Sequence, residues 1–178
     1  MSEAIVVLNA GSSSMKFSVY GIAEPQPALV TRGQIEGLGT RPRFKAKDNR
    51  GEPLADEPLA SDGNGFGHPE AFAHLAQWLR ERYAARLSSP NSGKLVPIAI
   101  GHRVAHGGAD LVALTLIDES VVTQLEVLIP LVPLHQPHNL AAIRAVMQKQ
   151  PGLPQVACFD TGFHSGRASV AQRFGLPD

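Results

Sequence analysis

A bend near the amino terminus gathers polar groups between two apolar runs. Residues 5–20 read IVVLNAGSSSMKFSVY, so Asn9, three serines and Lys16 interrupt a strand-like pattern. Small residues let backbone N–H groups approach an anion closely, hydroxyls add donors, and the lysine ammonium supplies positive charge. A serine-rich hairpin turn without a ligand would explain the same residues. The bend is therefore a candidate phosphate-binding turn, with the simpler interpretation left open.

Three further segments place a polar side chain next to apolar sequence. GHRVAHGG (101–108) contains Arg103, which would be a costly neighbour of a buried strand unless it meets an anion. LHQPHN contains His135, and CFDTGFH contains Asp160. Open α/β sheets bind ligands at the carboxyl ends of their strands. Together with the serine bend, these segments predict a convergent site for an anionic substrate.

Two other patterns suggest different chemistry. Gly63, Gly65 and Gly67 imitate a dinucleotide fingerprint, but the G-x-G-x-x-G spacing and a preceding strand are missing, which favours a loop before a helix. Histidines at 102, 106, 135, 138 and 164 could hold zinc, although a catalytic zinc site needs three ligands and an open position. A metal hydrolase is kept as an alternative.

Composition restricts the class of protein. The 178 residues are 43% hydrophobic, which is enough for a real core, and 16 basic residues balance 16 acidic ones. This balance argues against a nucleic-acid surface or a polybasic membrane anchor. The single cysteine, Cys158, excludes an internal disulfide and suits a reducing compartment. No apolar run approaches the roughly 20 residues of a membrane span, and no secretory signal is evident, so a cytoplasmic protein is predicted.

The apolar pattern predicts antiparallel strands followed by alternating helices and strands. Strands are predicted at 4–8, 16–20, 29–35 and 43–47, followed by a turn at 49–51 and a loop at 55–67. A helix is then predicted from Pro69 to Leu87, a strand buried on both faces at 95–100, a short strand within 112–117, and a helix from its cap Asp118 to Leu128. The last elements are a rigid loop around Pro130, Pro133 and Pro137, a helix capped by Asn139, and a buried strand at 155–159. This order indicates an α/β domain with a mixed sheet.

The four polar segments together resemble the N-terminal half of acetate kinases. The family reads N-A-G-S-S-S-x-K-F, G-H-R-V-V-H-G-G, P-L-H-N-P and F-D-T-A-F-H, matched in order at 9–17, 101–108, 133–137 and 159–164. Ala105, Gln136 and Gly162 depart from these motifs. The resemblance implies a ribonuclease-H-like mixed sheet flanked by helices, as in sugar kinases, actin and heat-shock ATPases. It also implies reversible phosphoryl transfer between ATP and acetate, with Mg²⁺.

The resemblance implies a role for each matched residue. Arg103 would hold the acetate carboxylate and the transferring group, His135 would donate to the phosphoryl oxygens, and Asp160 would organise the magnesium shell. Asn9 would help to place the metal and the phosphate. The remaining matched residues would line the phosphate path (Ser12, Ser14 and Lys16) or the pocket for the acetate methyl (Ala105 and Leu134).

The length of the chain limits the expectation of phosphoryl-transfer activity. Members of the family are more than twice as long as these 178 residues and carry the adenosine pocket in a second domain. We therefore expect residues 1–160 to form the N-terminal domain and 161–178 to begin a truncated second one. Such a fragment is expected to be inactive alone, and to be able to exist as a monomer because the family dimerises mainly through the missing part. The alternatives are a propionate or butyrate kinase of the same family, which Ala105 would favour by widening the acyl pocket, and a non-catalytic phosphate-binding domain.

Overall fold

The computed structural model describes residues 2–23, 25–60, 65–84 and 95–172. The strands are β1 (Ser2–Ala10), β2 (Ser14–Gly21), β3 (Ala28–Glu36), β4 (Arg43–Asp48), β5 (Pro53–Pro58), β6 (Leu95–Val104), β7 (Thr115–Leu116) and β8 (Gln155–Phe159). The helices are α1 (His68–Ala84), α2 (Glu119–Val127), α3 (Gln136–Lys149) and α4 (Ser169–Gln172), with 3-10 turns at Ile129–Leu131 and Asp160–His164.

All eight described strands form one mixed sheet in the order β5-β4-β3-β2-β1-β6-β8-β7. β1 pairs in parallel with β6, and β6 with β8, whereas the other neighbours are antiparallel. Alternate residues of β1 are buried, from Ala4 through Val6 and Leu8 to Ala10, because successive side chains of a strand point to opposite faces. The predicted mixed sheet is confirmed.

The buried face of the sheet packs against helices. One core cluster joins β1–β4 to α1, and in it the rings of Phe17, Phe44 and Trp78 contact one another at centroid distances of 5.1 to 6.2 Å. A second cluster joins the ends of β6 and β8 to α2. Helix α3 contributes to both clusters, through Val146 to the first and Ile143 to the second. This helix therefore ties the antiparallel half of the sheet to the parallel half.

Strand β5 corrects the prediction of a loop over 55–67. Residues Pro53–Pro58 pair with β4 at the edge of the sheet, and Arg43 Nε donates to Asp56 Oδ1 at 2.7 Å. Proline, aspartate and glutamate are depleted in strands, so this segment carries no strand signal of its own. Prolines are tolerated at both ends of β5 because it is an edge strand. Residues 61–64 of the predicted loop, including Gly63, lie outside the described residues.

Strand β6 corrects the prediction of a short strand buried on both faces. It runs to Val104, four residues beyond the predicted end, and Val96 and Ile98 are more than one-third exposed. Its inner face is buried at Ile100, His102 and Val104. Strand β8 is likewise buried mainly on alternate residues, with Cys158 exposed. A continuous apolar run therefore does not mean burial on both faces here.

The proline-rich segment also differs from the prediction of a rigid loop ending at a cap by Asn139. It forms a 3-10 turn, and α3 begins at Gln136 with His135 as its N-cap and Pro137 in its first turn. Proline suits a first helical turn because the N–H groups there have no intrahelical partner. Asn139 therefore lies inside the helix, and its side chain is free for a different contact.

The remaining elements follow the predictions with small shifts. Helix α1 begins one residue earlier than predicted, at His68, and the predicted portion from 85 to 87 lies outside the described residues. The strand expected within 112–117 is only Thr115–Leu116. Asp118 is confirmed as the N-cap of α2, accepting from Val121 N at 2.9 Å, and the Ser120 hydroxyl is the main cause of its lowered pKa. The predicted domain start within 161–178 stays a prediction.

Among the described residues, no helix is both long and apolar enough to cross a lipid bilayer.

We predict a pH-dependent stability from His102. This side chain is 3% exposed, its Nε2 donates to Gln155 Oε1 at 2.8 Å, and burial lowers its pKa from 6.5 to about 4. The unfolded chain binds the proton more readily, so stability is full above pH 6.5 and is lost as pH falls towards 4. The loss attributable to His102 should approach roughly 3 kcal/mol. Urea unfolding of the protein and of His102→Gln across this range checks the prediction, and parallel pH curves would contradict it.

Candidate active site

The four polar segments converge on one cleft of about 330 Å³ at the end of β1. Eight of the nine residues named from the sequence line it: Asn9, Ser12, Ser14, Lys16, Arg103, Ala105, His135 and Asp160. The ninth, Leu134, is 74% exposed and is not part of the lining. Ala10, Gly11, Ser13 and Asn139 complete the lining. The structure therefore brings the predicted residues together, except for the proposed second wall of an acyl pocket.

Strand pairing explains this convergence. Asn9 lies directly opposite Lys16 across the β1–β2 hairpin. The parallel register pairs Leu8 with His102. The next residues of the two strands, Asn9 on β1 and Arg103 on β6, therefore lie at neighbouring positions. Because Asn9 alternates with the buried Leu8, the polar side chains face away from the packed helices. The bend between β1 and β2 and the ends of β6 and β8 thus open on the same edge of the sheet.

Arg103 is already engaged by the protein. Its Nε and Nη2 donate to the two carboxylate oxygens of Asp160, at 2.9 and 2.5 Å, and its Nη1 donates to Asn9 Oδ1 at 3.3 Å. The two charged side chains are about half exposed, so their ion pair contributes little to stability. The sequence predicted an anion beside Arg103, and in the structure that anion is the Asp160 carboxylate. A substrate anion that binds Arg103 must therefore share the guanidinium with Asp160 or displace Asp160 from it.

Asn139 connects two of the segments that line the cleft. It is 6% exposed, its Nδ2 donates to the Ala10 carbonyl at 2.8 Å, and its Oδ1 accepts from Ala105 N at 3.0 Å. The amide therefore joins the end of β1 to the end of β6. Sequence reasoning assigned Asn139 to a helix cap and missed this role. The available signal was its position one turn before Ile143 on the apolar face of α3, where a buried amide needs partners.

Two glycines allow the remaining segments to approach each other. A Cβ at Gly107 would lie 1.9 Å from the Leu111 carbonyl oxygen, and a Cβ at Gly162 would lie 2.3 Å from that of Val112. The Gly107 N–H also donates to Thr161 Oγ1 at 3.2 Å. Gly162 stands where the family motif has alanine, so this departure accompanies a close contact between the loop after β6 and the turn that carries Asp160.

The histidines have separate surroundings. His102 is buried against Gln155, and His135 lies exposed in the cleft. His68 Nε2 donates to the Gly11 carbonyl at 2.9 Å, and its ring stacks on that of His138 at 5.3 Å. Burial lowers the pKa of His68. Within the described ranges no three histidine, cysteine, aspartate or glutamate side chains are placed to hold a metal ion. The zinc-hydrolase alternative therefore loses its geometric support.

The cleft suits a divalent cation that shares its ligands with a substrate. Asp160 offers a carboxylate and Asn9 an amide oxygen, which are the donor types that Mg²⁺ prefers. This ion is commonly held by one or two carboxylates together with water and substrate phosphates. The donor set therefore fits a substrate-linked cation.

A second cavity, of about 340 Å³, lies between α1 and the sheet and has an apolar lining that includes Val6, Phe72, Leu75 and Leu79. Arg80 is the one charged residue among the described residues of this lining, and none of the candidate residues named from the sequence contributes to it. The polar cleft is the candidate active site.

Comparison with known proteins agrees with this geometry. The model of the acetokinase family matches residues 4–178. The chain belongs to the acetokinase family. It is 42% identical to the acetate kinase of Nitrobacter hamburgensis over 179 residues and 41% identical to that of Rhizobium meliloti over 176 residues.

Solved structures support the same assignment. The crystal structure of Porphyromonas gingivalis acetate kinase superposes with a TM-score of 0.77 at 29% identity, covering 99% of this chain and 42% of that one. The crystal structure of a propionate kinase from Francisella tularensis also gives 0.77, at 31% identity, covering 98% and 41%. The two curated relatives are matched over 98% of this chain and 41–42% of their own length. The chain thus spans about two-fifths of the proteins that it resembles.

We predict that the Asn139 link is required for stability. Asn139→Ala leaves the Ala10 carbonyl and the Ala105 N–H without their partner, which should lower the free energy of unfolding by about 2 kcal/mol. Asn139→Asp should cost at least as much, because it sets a carboxylate oxygen against the Ala10 carbonyl. Urea unfolding measures both variants. The control is Gln148→Ala, an exposed amide on the same helix, which should stay within about 0.5 kcal/mol. An Asn139→Ala variant as stable as this control would contradict the prediction.

Proposed function

We propose that this chain provides the acyl- and phosphoryl-binding half of an acetate kinase, which transfers phosphate reversibly between ATP and acetate. The observation that carries the proposal is the cleft, in which Lys16, Arg103 and His135 surround a serine-rich turn at the end of β1. Membership of the acetokinase family supports the reaction type. Phosphoryl transfer depends mainly on positioning and on stabilising the charge of the transferring group, and this arrangement suits both tasks.

Each cleft residue has a proposed task. Arg103 binds the acetate carboxylate and the equatorial oxygens of the transferring phosphoryl, and His135 donates to the same oxygens. Ser12, Ser14 and Lys16 bind phosphate along the bend. Because Arg103 also pairs with Asp160, a substrate anion that draws the guanidinium towards itself leaves the Asp160 carboxylate available.

Asp160 and Asn9 are the proposed holders of Mg²⁺. The bound ion supplies positive charge that offsets the charge of the phosphate oxygens. Asp160 pairs with Arg103 in the structure, and it would be available to hold the ion once a substrate anion has drawn the guanidinium away, which would link anion binding to metal binding.

Several further properties belong to the same proposal. The preferred nucleotide is ATP, the compartment is the cytoplasm, in keeping with a free cysteine at position 158, and the partners are small molecules rather than nucleic acid or membrane. Homodimer formation is proposed to involve parts of the enzyme outside these residues. Residues 161–178 are proposed to lead into a second domain.

The test is ligand binding by this chain together with turnover. We expect acetyl phosphate, titrated with Mg²⁺ present, to bind about tenfold or more weakly to Arg103→Ala than to the unchanged chain, because a charge-assisted contact is lost. The control is Arg43→Ala, since Arg43 also pairs with an aspartate but lies at the sheet edge. Absence of binding to the unchanged chain, or equal binding by Arg103→Ala, would contradict the proposal.

We expect no acetate-dependent ATP turnover from the 178 residues alone, because two-domain kinases require closure over both substrates. The assay contains ATP, acetate and Mg²⁺, with protein whose intact mass is verified. Turnover that Arg103→Ala abolishes would show that these residues are sufficient, and would overturn the expectation of inactivity.

A propionate kinase is the second candidate function, and Ala105 favours it. Ala105 lines the cleft where the family motif has valine, and one of the matched crystal structures is that of a propionate kinase. The smaller side chain leaves more room for an acyl chain. Leu134, the other residue expected at this pocket, is exposed and stands outside the cleft lining.

We predict that Ala105→Val shifts binding towards the shorter acyl group. The added methyl groups should weaken propionyl phosphate relative to acetyl phosphate by about tenfold, since one methylene in an apolar pocket is worth about 1–3 kcal/mol. Competitive titration of both ligands against the unchanged chain and the variant measures the ratio. If the ratio of the two affinities is unchanged or reversed in the variant, Ala105 no longer supports a propionate kinase.

A further inference from the structure

Four carbonyl groups of the serine bend accept described hydrogen bonds. The carbonyl of Ala10 accepts from Asn139, that of Gly11 from His68, that of Ser13 from Leu38 N at 3.0 Å, and that of Ser14 from Gly11 N at 2.8 Å. These donors come from α3, α1, the loop after β3 and the bend itself. Three of these carbonyls are therefore directed at other elements of the protein, and the fourth closes the bend on itself.

The orientation of a carbonyl determines that of the next N–H. In a trans peptide the C=O and N–H bonds point in opposite directions across one plane. The peptide between Gly11 and Ser12 has its carbonyl held by His68, so the Ser12 N–H is turned the other way. Ser12 lines the cleft, and its N–H has no acceptor among the described residues. This N–H is consequently a vacant donor directed at the cleft.

His68 is well suited to hold that peptide. A carbonyl oxygen can only accept, so the Nε2 of His68 carries the proton and donates. The ring is 6% exposed and stacks on His138, in the first turn of α3. The start of α1 is itself fixed, because Glu70 Oε2 accepts from Gly67 N at 2.8 Å and Gly39 N donates to the Phe66 carbonyl at 2.9 Å. His68 therefore joins a rigid helix start to the bend without lining the cleft.

We propose that His68 is a positioning residue for anion binding: its Nε2–H holds the Gly11 carbonyl, so that the Ser12 N–H faces the cleft and donates to a phosphate oxygen. This inference rests on the proposed function, because it takes the bend to be the phosphate-binding turn. His68 itself does not touch the anion. Its effect is transmitted through the orientation of one peptide plane.

Three variants separate the donor from the ring. His68→Phe keeps an aromatic ring for the stack on His138 but removes the donor, and His68→Gln restores an N–H donor. His74→Phe is the matched control, because His74 lies on the same helix, packs edge-on against Phe44 at 4.9 Å, and has a buried Nε2 without a described partner. Folding of each variant is checked first by the dispersion of its ¹H–¹⁵N spectrum.

The experiment follows the Ser12 amide by ¹H–¹⁵N NMR in the complete chain while inorganic phosphate is added at constant ionic strength. We expect phosphate to move the Ser12 signal of the unchanged chain and of His74→Phe with equal affinity. His68→Phe should bind about tenfold more weakly, because a donor to a charged acceptor is misdirected. Its Ser12 signal should also be displaced before phosphate is added, and His68→Gln should recover both properties in part.

The outcomes distinguish this inference from the function beneath it. If phosphate binds equally to His68→Phe and His74→Phe, the positioning role is wrong and the proposed function is untouched. If phosphate does not bind the unchanged chain, the proposed phosphate-binding turn is wrong, and with it the assignment of the Ser12 N–H to an anion. A Ser12 signal that is the same in His68→Phe and His74→Phe would overturn the orientation of the peptide even if phosphate binds.

Discussion

The parallel pairing of β1 with β6 and of β6 with β8 is the constraint on which the cleft depends. Parallel neighbours end at the same edge of a sheet, so residues that lie 57 and 94 positions apart in the chain become neighbours. Asn9, Arg103 and Asp160 meet for this reason, and hydrogen bonds of Arg103 join all three. Helix α3 then holds the same edge from the packed side, because Asn139 bonds to the ends of both β1 and β6.

The cleft contains charges of both signs and is not a simple positive patch. Arg103 and Asp160 largely neutralise each other, and Lys16 and His135 line the cleft without a described ion pair. An anion gains most if it draws Arg103 towards itself, and a cation gains most if Asp160 is released. Under the proposed function, the two ligands would therefore be coupled through this exposed ion pair. Such coupling would be lost in a cleft built only from cations, because no carboxylate would become available.

The sequence predicted the residues that line the cleft better than the contacts that support it. Arg103, His135 and Asp160 are polar residues beside apolar runs, and such contrasts are visible without a structure. Strand β5 was missed because its prolines and acidic residues have low strand propensity and become ordered only by pairing with β4. The role of Asn139 was missed because its partners are 129 and 34 residues away in the chain. Contacts of that kind depend on topology, which local patterns do not encode.

The bend also shows what a backbone needs if it is to bind an anion as proposed. Each peptide carries one donor and one acceptor, so an uncommitted carbonyl near a phosphate would repel it as strongly as an N–H attracts it. Here the carbonyls of Ala10, Gly11, Ser13 and Ser14 are occupied by a carboxamide, an imidazole and two backbone N–H groups. The Ser12 N–H can therefore face the cleft because the imidazole behind it holds the preceding carbonyl. The serine bend and the side chains behind it, His68 and Asn139, form one hydrogen-bonding arrangement. Both parts are needed to orient an N–H at the cleft.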